Sequence, residues 1–236
     1  MNDITTAAAE PRERGRGRLV LLAGGTSAVG RTCARALVEA GARVVIVGSD
    51  ADHVTAAAEA APGAATERCD LTDPDAVTAL RERIHAEHGP VDGVLPLVGG
   101  WRGGGGLAGQ SDEDLALLLR SFTVLRNVSR AFDDDLRSSD AGRLAIVSST
   151  VVARPLAGGA NYAAVKAASE AWTRAIAQGF AKDARDAGRE LSAASVIFRV
   201  RSLDGLEGAL ASAVVALWDD AAAAWNDVII EIGASG

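Results

Sequence analysis

Positive charge is in short supply in this chain. Its 24 lysines and arginines face 31 aspartates and glutamates, a formal net charge of −7. That balance argues against nucleic acid or an anionic membrane as a partner. Long apolar runs are absent too, and none reaches the roughly 18 residues that a membrane span needs. The opening segment MNDITTAAAEPRERGRGR contains no apolar stretch of the kind a secretory signal requires. Residues 1–17 read as a disordered tail. There are only two cysteines, Cys33 and Cys69, in neither Cys-x-x-Cys nor metal-ligand spacing. They read as small buried apolar residues of a protein kept in a reducing cytoplasm. Of the three histidines, His85 and His88 lie near Glu82 and Glu87. No third ligand is apparent, so no metal is expected; the group reads as a surface helix face with His85 and Glu82 as exposed partners. Tyrosine is scarce as well: Tyr162 is the single one.

What is present is a globular composition, 48% hydrophobic and 23% charged, over 236 residues, enough for one large domain. Residues 18–236 read as that domain. Short apolar runs alternate with helical segments. The strands are expected at 18–24, 42–48, 64–70, 91–99, 142–149, 190–198 and 227–233. Most are rich in Val, Ile and Leu on both faces, as strands covered by helices on both sides are. The helix beginning SDEDL opens with a serine cap and early acids. Another, beginning NYAAVK, stops at Gly188. Strict β–α alternation implies a parallel, doubly wound sheet between two helical layers.

The first strand runs into AGGTSAVGRT. Gly24 permits a tight turn, Gly30 a close helix–strand approach, and the backbone of Thr26, Ser27 and Val29 opens onto the helix N-terminus. Such a turn binds the pyrophosphate of a dinucleotide. At the end of the second strand an acid would hold the adenosine ribose, but Gly48 stands there, followed by Ser49, with Asp50 two positions late. A 2′-phosphate is then not repelled, and Ser49 and Arg31 are placed to meet it, which favours NADP(H) over NAD(H). Asp70 is a candidate for the adenine amino group or, equally, the cap of a local turn.

Tyr162 and Lys166 are four apart on an expected helix, hence on one face. An ammonium beside a phenol lowers the phenol's pKa towards neutrality, which suits a proton donor. Ser149 ends the preceding strand, at the sheet edge where sites of such folds collect. In this order the glycine turn, Ser149, Tyr162 and Lys166 resemble the short-chain dehydrogenase/reductase family, over roughly residues 18 to 236. The resemblance implies a Rossmann-type doubly wound three-layer α/β sandwich with a seven-stranded parallel sheet. It implies hydride transfer from NAD(P)H to a carbonyl or imine-like carbon of a small molecule. Tyr162 is then the general acid, Lys166 binds the nicotinamide ribose, and Ser149 orients the substrate oxygen. The family's Asn on the next helix, which anchors a relay water, falls at Ser121; Asn127 points elsewhere. The usual Asn-Asn-Ala-Gly is replaced by PLVG, and the Pro-Gly after the sixth strand by FRVRSLDG, which leaves a short lid. These departures keep open a non-redox or isomerising enzyme, and a redox-silent nucleotide-binding protein.

The segment VGGWRGGGG follows the fourth strand. Gly99 lets backbone approach the cofactor. Gly103 to Gly106 read as a hinge-like, poorly ordered run, carrying Trp101 and Arg102 as substrate-binding groups that replace the missing lid. Gly-Gly-Trp here is also similar to the dihydropteridine reductases, a divergent branch of the family, and implies a planar heteroaromatic substrate such as a quinonoid pterin. The small residues Ala164, Ala168, Ala171 and Ala175 line one helix face. The resemblance implies that this face pairs two copies, as a homodimer or homotetramer; the alternative is that it packs on the sheet.

Overall fold

A computed structural model describes residues 15–233. Seven strands, β1 (Leu19–Ala23), β2 (Arg43–Gly48), β3 (Ala65–Arg68), β4 (Gly93–Pro96), β5 (Arg143–Ser149), β6 (Ala194–Val200) and β7 (Val228–Ile232), form one sheet in the order β3-β2-β1-β4-β5-β6-β7. Every pairing is parallel. The expected strands are all there, with shifted ends. The sixth starts at Ala194 rather than 190 and runs on to Val200, because the polar Glu190–Ser192 stretch turns into the strand instead of pairing.

The strands alternate strictly between two cores. Leu19, Leu21, Leu144, Ile146 and Ile197 face one side. There they meet α3 (Pro74–His88), α4 (Asp112–Ala131), α5 (Asp133–Ser138) and α6 (Ala160–Asp186). Val20, Leu22, Ala145, Val196 and Phe198 face the other, against α1 (Ala28–Glu39), α2 (Ala51–Ala60) and α7 (Glu207–Val215). Burial on both faces is what the apolar strand composition demands. A short α8 (Ala222–Trp225) leads into β7. The buried Arg143 pins this last segment: its guanidinium donates to the carbonyls of Leu217, Gly142, Ser192 and Asp220.

Most of the expected tail, residues 1–14, lies outside the described residues. Its end is tied down: Gly17 N donates to Gly41 O at 2.9 Å. His85 does not partner Glu82. Its Nε2 sits 2.7 Å from the buried Asp135 carboxylate, because α5 brings that acid against α3. Among the described residues no group of three metal-ligating side chains occurs, and no helix is long and apolar enough to cross a membrane. Ala164, Ala168, Ala171 and Ala175 are exposed, so the stripe does not pack on the sheet; Ala163, Val165, Thr173 and Ala177 do that.

The order of the strands reverses between β1 and β4, which leaves a crevice at their carboxyl ends. Two cavities occupy it. They share Ser27, Leu97, Val98 and Gly99, so they adjoin.

Candidate active site

The first cavity, about 440 Å³, opens over the turn between β1 and α1. Gly24 has φ +83° and a Cβ there would lie 2.3 Å from Val98 Cγ2. A Cβ on Gly30 would lie 2.2 Å from Gly25 O. Only glycine permits these two approaches. Ser27 caps α1, its Oγ accepting from Gly30 N at 3.3 Å. The first turn of α1 carries no acid, so its positive end is free to favour an anion. Gly24, Thr26 and Ser27 line this cavity, while Val29 lines the adjoining one.

Gly48 could not be the missing acid. A Cβ there would meet Thr26 Cγ2 at 2.5 Å and Val54 Cγ2 at 2.9 Å. Asp50 caps α2 through His53 N and does not line the cavity. The groups that do are Arg31, Ser49, His53 and, from the far wall, Arg120. Asp70 lines it too and also holds its local turn, accepting from Thr72 N and Oγ1; the turn role is seen, and its place in the cavity wall is compatible with the other. Asn127 is buried in a different direction from Ser121, donating to Leu71 O and Thr72 O. It thereby fixes the loop that presents Asp70, a duty that the sequence did not reveal.

The second cavity, about 510 Å³, brings Ser149, Tyr162, Lys166, Gly99 and Trp101 together. Three successive turns of α6 grip the end of β5. Tyr162 shares a side-chain hydrogen bond with Ser149. Lys166 Nζ donates to Val147 O at 2.8 Å. Glu170 accepts from Ser148 Oγ at 2.7 Å. The spacing of four residues is what aligns them on one helix face. The phenol is not lowered as its neighbour suggested. Burial pushes Tyr162 above the usual tyrosine value, and only the Ser149 bond works the other way. The Lys166 ammonium gives one N–H to the strand and stands 5.7 Å from the ring centroid. Burial takes Lys166 down to about 8, against a smaller upward pull from Glu170.

Ser121 donates its hydroxyl to its own helix, at Leu118 O, 2.7 Å away. It also lines a cavity of about 20 Å³ shared with Lys166, Ser169 and Pro96. That volume holds about one water.

The glycine segment is not a hinge. Gly104 N donates to Gly158 O at 2.7 Å. Gln110 Nε2 donates to the carbonyls of Gly104, Gly106 and Gly158, and Gln110 Oε1 accepts from Asn161 N. The glycines serve contact instead. A Cβ on Gly103 would lie 2.4 Å from Gly158 O, and one on Gly109 2.7 Å from Gly105 Cα. The loop is therefore docked on the turn at Ala157–Gly159. Trp101 lines the cavity with 61% of its surface exposed. Arg102 does not line it. Its Nη1 folds back onto Trp101 O and its Nε lies 3.9 Å from Asp114. The arginine that the cavity does present is Arg201, just past β6.

Residues 18–184 match the family model of the short chain dehydrogenases. The chain belongs to that family. The cis-4-hydroxycyclohexanecarboxylate dehydrogenase of Sinomonas cyclohexanicum is 33% identical over 171 residues, 70% of this chain and 68% of that protein. The 3-oxoacyl-acyl-carrier-protein reductase of Salmonella typhimurium is 26% identical over 164 residues, 69% of this chain and 67% of that protein. Among solved structures, L-sorbose reductase from Gluconobacter frateurii, complexed with NADPH and L-sorbose, superposes with a TM-score of 0.77 at 17% identity, covering 92% of this chain and 95% of that one. An NADPH-bound short chain oxidoreductase from Pseudomonas aeruginosa PAO1, described as having an atypical catalytic center, gives 0.78 at 21% identity, covering 92% and 96%. At these identities the structural likeness is one of fold. This short-chain dehydrogenase is an NAD(P)-dependent oxidoreductase.

Proposed function

We propose that this dehydrogenase reduces the carbonyl of a small molecule, with Tyr162 as the proton donor and NADP(H) as the preferred cofactor. The observation that carries the reading is the meeting of Ser149, Tyr162 and Lys166 at one wall of the second cavity. A bound nicotinamide cofactor supplies the hydride. Gly24, Thr26, Ser27, Val29, Gly30, Asp70 and Gly99 would hold it along the crevice. Tyr162 and Lys166 add the contact to its nicotinamide ribose. The fit rests on two features of the chain: the acid-free first turn of α1 and the backbone at Gly99, where even a Cβ would stop 3.9 Å from Lys166 Nζ. The NADP(H) preference rests on Gly48, which has no room for an acid, and on Arg31, Ser49 and His53 beside it.

Ser149 orients the substrate oxygen towards the Tyr162 hydroxyl. Tyr162 transfers its proton to that oxygen. A phenol raised by burial is a reluctant acid, so its anion must be stabilised as it forms, and the Lys166 ammonium stands 5.7 Å from its ring. Lys166 also borders the one-water cavity beside Ser121, a route by which the lost proton is replaced. Trp101 walls the substrate side. The free, buried Cys33 and Cys69 suit a reducing cytoplasm. Exposed Leu117 and Leu119 on α4 and the exposed alanine face of α6 suit a homodimer or homotetramer.

The test is a fluorescence titration of NADPH and NADH, followed by turnover of a panel of ketones and 3-oxoacyl thioesters. Tyr162→Phe is expected to retain NADPH binding, weakened only by the lost ribose contact, and to lose about 10²–10⁴-fold in kcat. Full activity in that variant would overturn the mechanism.

A further inference from the structure

The second cavity carries a charge that hydride transfer does not use. Its lining includes two cations, Lys166 and Arg201, and no aspartate or glutamate. Lys166 gives one N–H to Val147 O, and the proposed mechanism assigns its charge to Tyr162 and the cofactor ribose. Arg201 is exposed, and no hydrogen bond or ion pair engages its guanidinium among the described residues. Its neighbour Arg199 shows the contrast, paired through Nε and Nη2 with Glu170. The register fixes where Arg201 stands. Val200 pairs with Ser149, so Arg201 leaves the sheet one residue, about 3.3 Å, beyond the serine that orients the substrate. In a chain with net charge −7, an unengaged guanidinium in an acid-free cavity is a local anion site.

We propose that Arg201 recognises a carboxylate on the substrate, so that the enzyme acts on small acidic carbonyl compounds. This rests on the carbonyl-reductase reading above. The same guanidinium chemistry would also suit the diphosphate of the cofactor, and the experiment separates the two.

Benzoate and its neutral counterpart benzamide are titrated calorimetrically into the NADP⁺-saturated protein, parent and Arg201→Gln, at 0.15 M salt. NADPH affinity is measured in parallel on both proteins. Benzoate is expected to bind the parent about tenfold more tightly than benzamide, the worth of one charge-assisted contact. Arg201→Gln abolishes that preference and leaves NADPH affinity unchanged. Arg201→Lys restores part of it. Absence of benzoate binding, equal binding of the two probes to the parent, or a preference that survives Arg201→Gln would overturn the proposal. So would a loss confined to NADPH, which assigns the arginine to the diphosphate. If the parent binds no nicotinamide nucleotide, the reductase reading fails by itself, and the benzoate–benzamide pair run on the protein alone still decides the anion site.

Discussion

Glu170 sits one helical turn below Lys166, and its removal tests how the site is braced. Its carboxylate accepts from Ser148 Oγ at 2.7 Å and from Arg199 Nε and Nη2 at 2.9 and 2.6 Å. Ser148 and Arg199 are register partners on β5 and β6, so one carboxylate ties two strands to α6. Glu170→Ala leaves the Arg199 charge and the Ser148 hydroxyl without that acceptor. Deleting one member of a buried pair costs about 3–5 kcal/mol. The Arg199 side chain is 17% exposed and keeps some access to water, so the expected loss is at the lower end, about 3 kcal/mol. For a chain of this length, about 2–4 °C per kcal/mol translates it into a fall in Tm of about 6–12 °C. Scanning calorimetry reads this directly. A fall of less than about 2 °C would refute the bracing argument.

Two pH measurements extend it. Burial pushes the Glu170 carboxyl up, but the hydrogen bonds from Arg199 and Ser148 and the Arg199 charge outweigh burial and bring it below the ordinary 4.5. A depressed carboxyl stabilises the fold fully above its unfolded pKa. That contribution is lost as pH falls through the lower folded value. Glu170→Gln should therefore flatten the acid limb of stability below about pH 4.5. The second readout is Lys166, which burial lowers to about 8 while Glu170 pulls it up. In Glu170→Gln the lysine should deprotonate below pH 8, measured as the pH midpoint of competitive acetylation at Lys166 by mass spectrometry. An unchanged midpoint would reduce Glu170 to a purely structural brace.

Gly103→Ala should detach the glycine loop, since its Cβ would meet a backbone oxygen at 2.4 Å. A cost of about 1–3 kcal/mol and faster proteolysis within 101–109 are expected. Gly208→Ala is the control, because nothing lies within 4 Å of its Cβ position in α7; equal proteolysis of the two variants would contradict a docked loop. Burial pushes the Cys33 thiol up to about 12 and Cys69, on the same ground, to about 11. Neither should react with a thiol reagent at pH 8 in the native protein, and both should in urea; prompt native labelling of Cys33 would refute its burial.

The fold was legible because its signal is local. Runs such as Leu19–Ala23 and Arg43–Gly48 are apolar on both faces and announce buried parallel strands without reference to anything distant. Ser149, Tyr162 and Lys166 were legible for a related reason, since helical spacing and a strand end fix their relative placement. What failed depended on partners far along the chain. A run of glycines reads as flexible until Gly158, more than 50 residues from Gly103, is brought against it. The Tyr162 phenol reads as lowered by Lys166 until burial by several elements proves the larger effect. Arg102 reads as a substrate group by its place beside Trp101, yet Asp114 on the next helix and the loop's own carbonyl take its fork. Arg201 was hidden in another way. In the sequence, the stretch after the sixth strand stands out for the Pro-Gly it lacks and not for the arginine it holds. Its meaning needs the end of β6, because only a strand that runs to Val200, level with Ser149, brings the next residue to the rim of the second cavity.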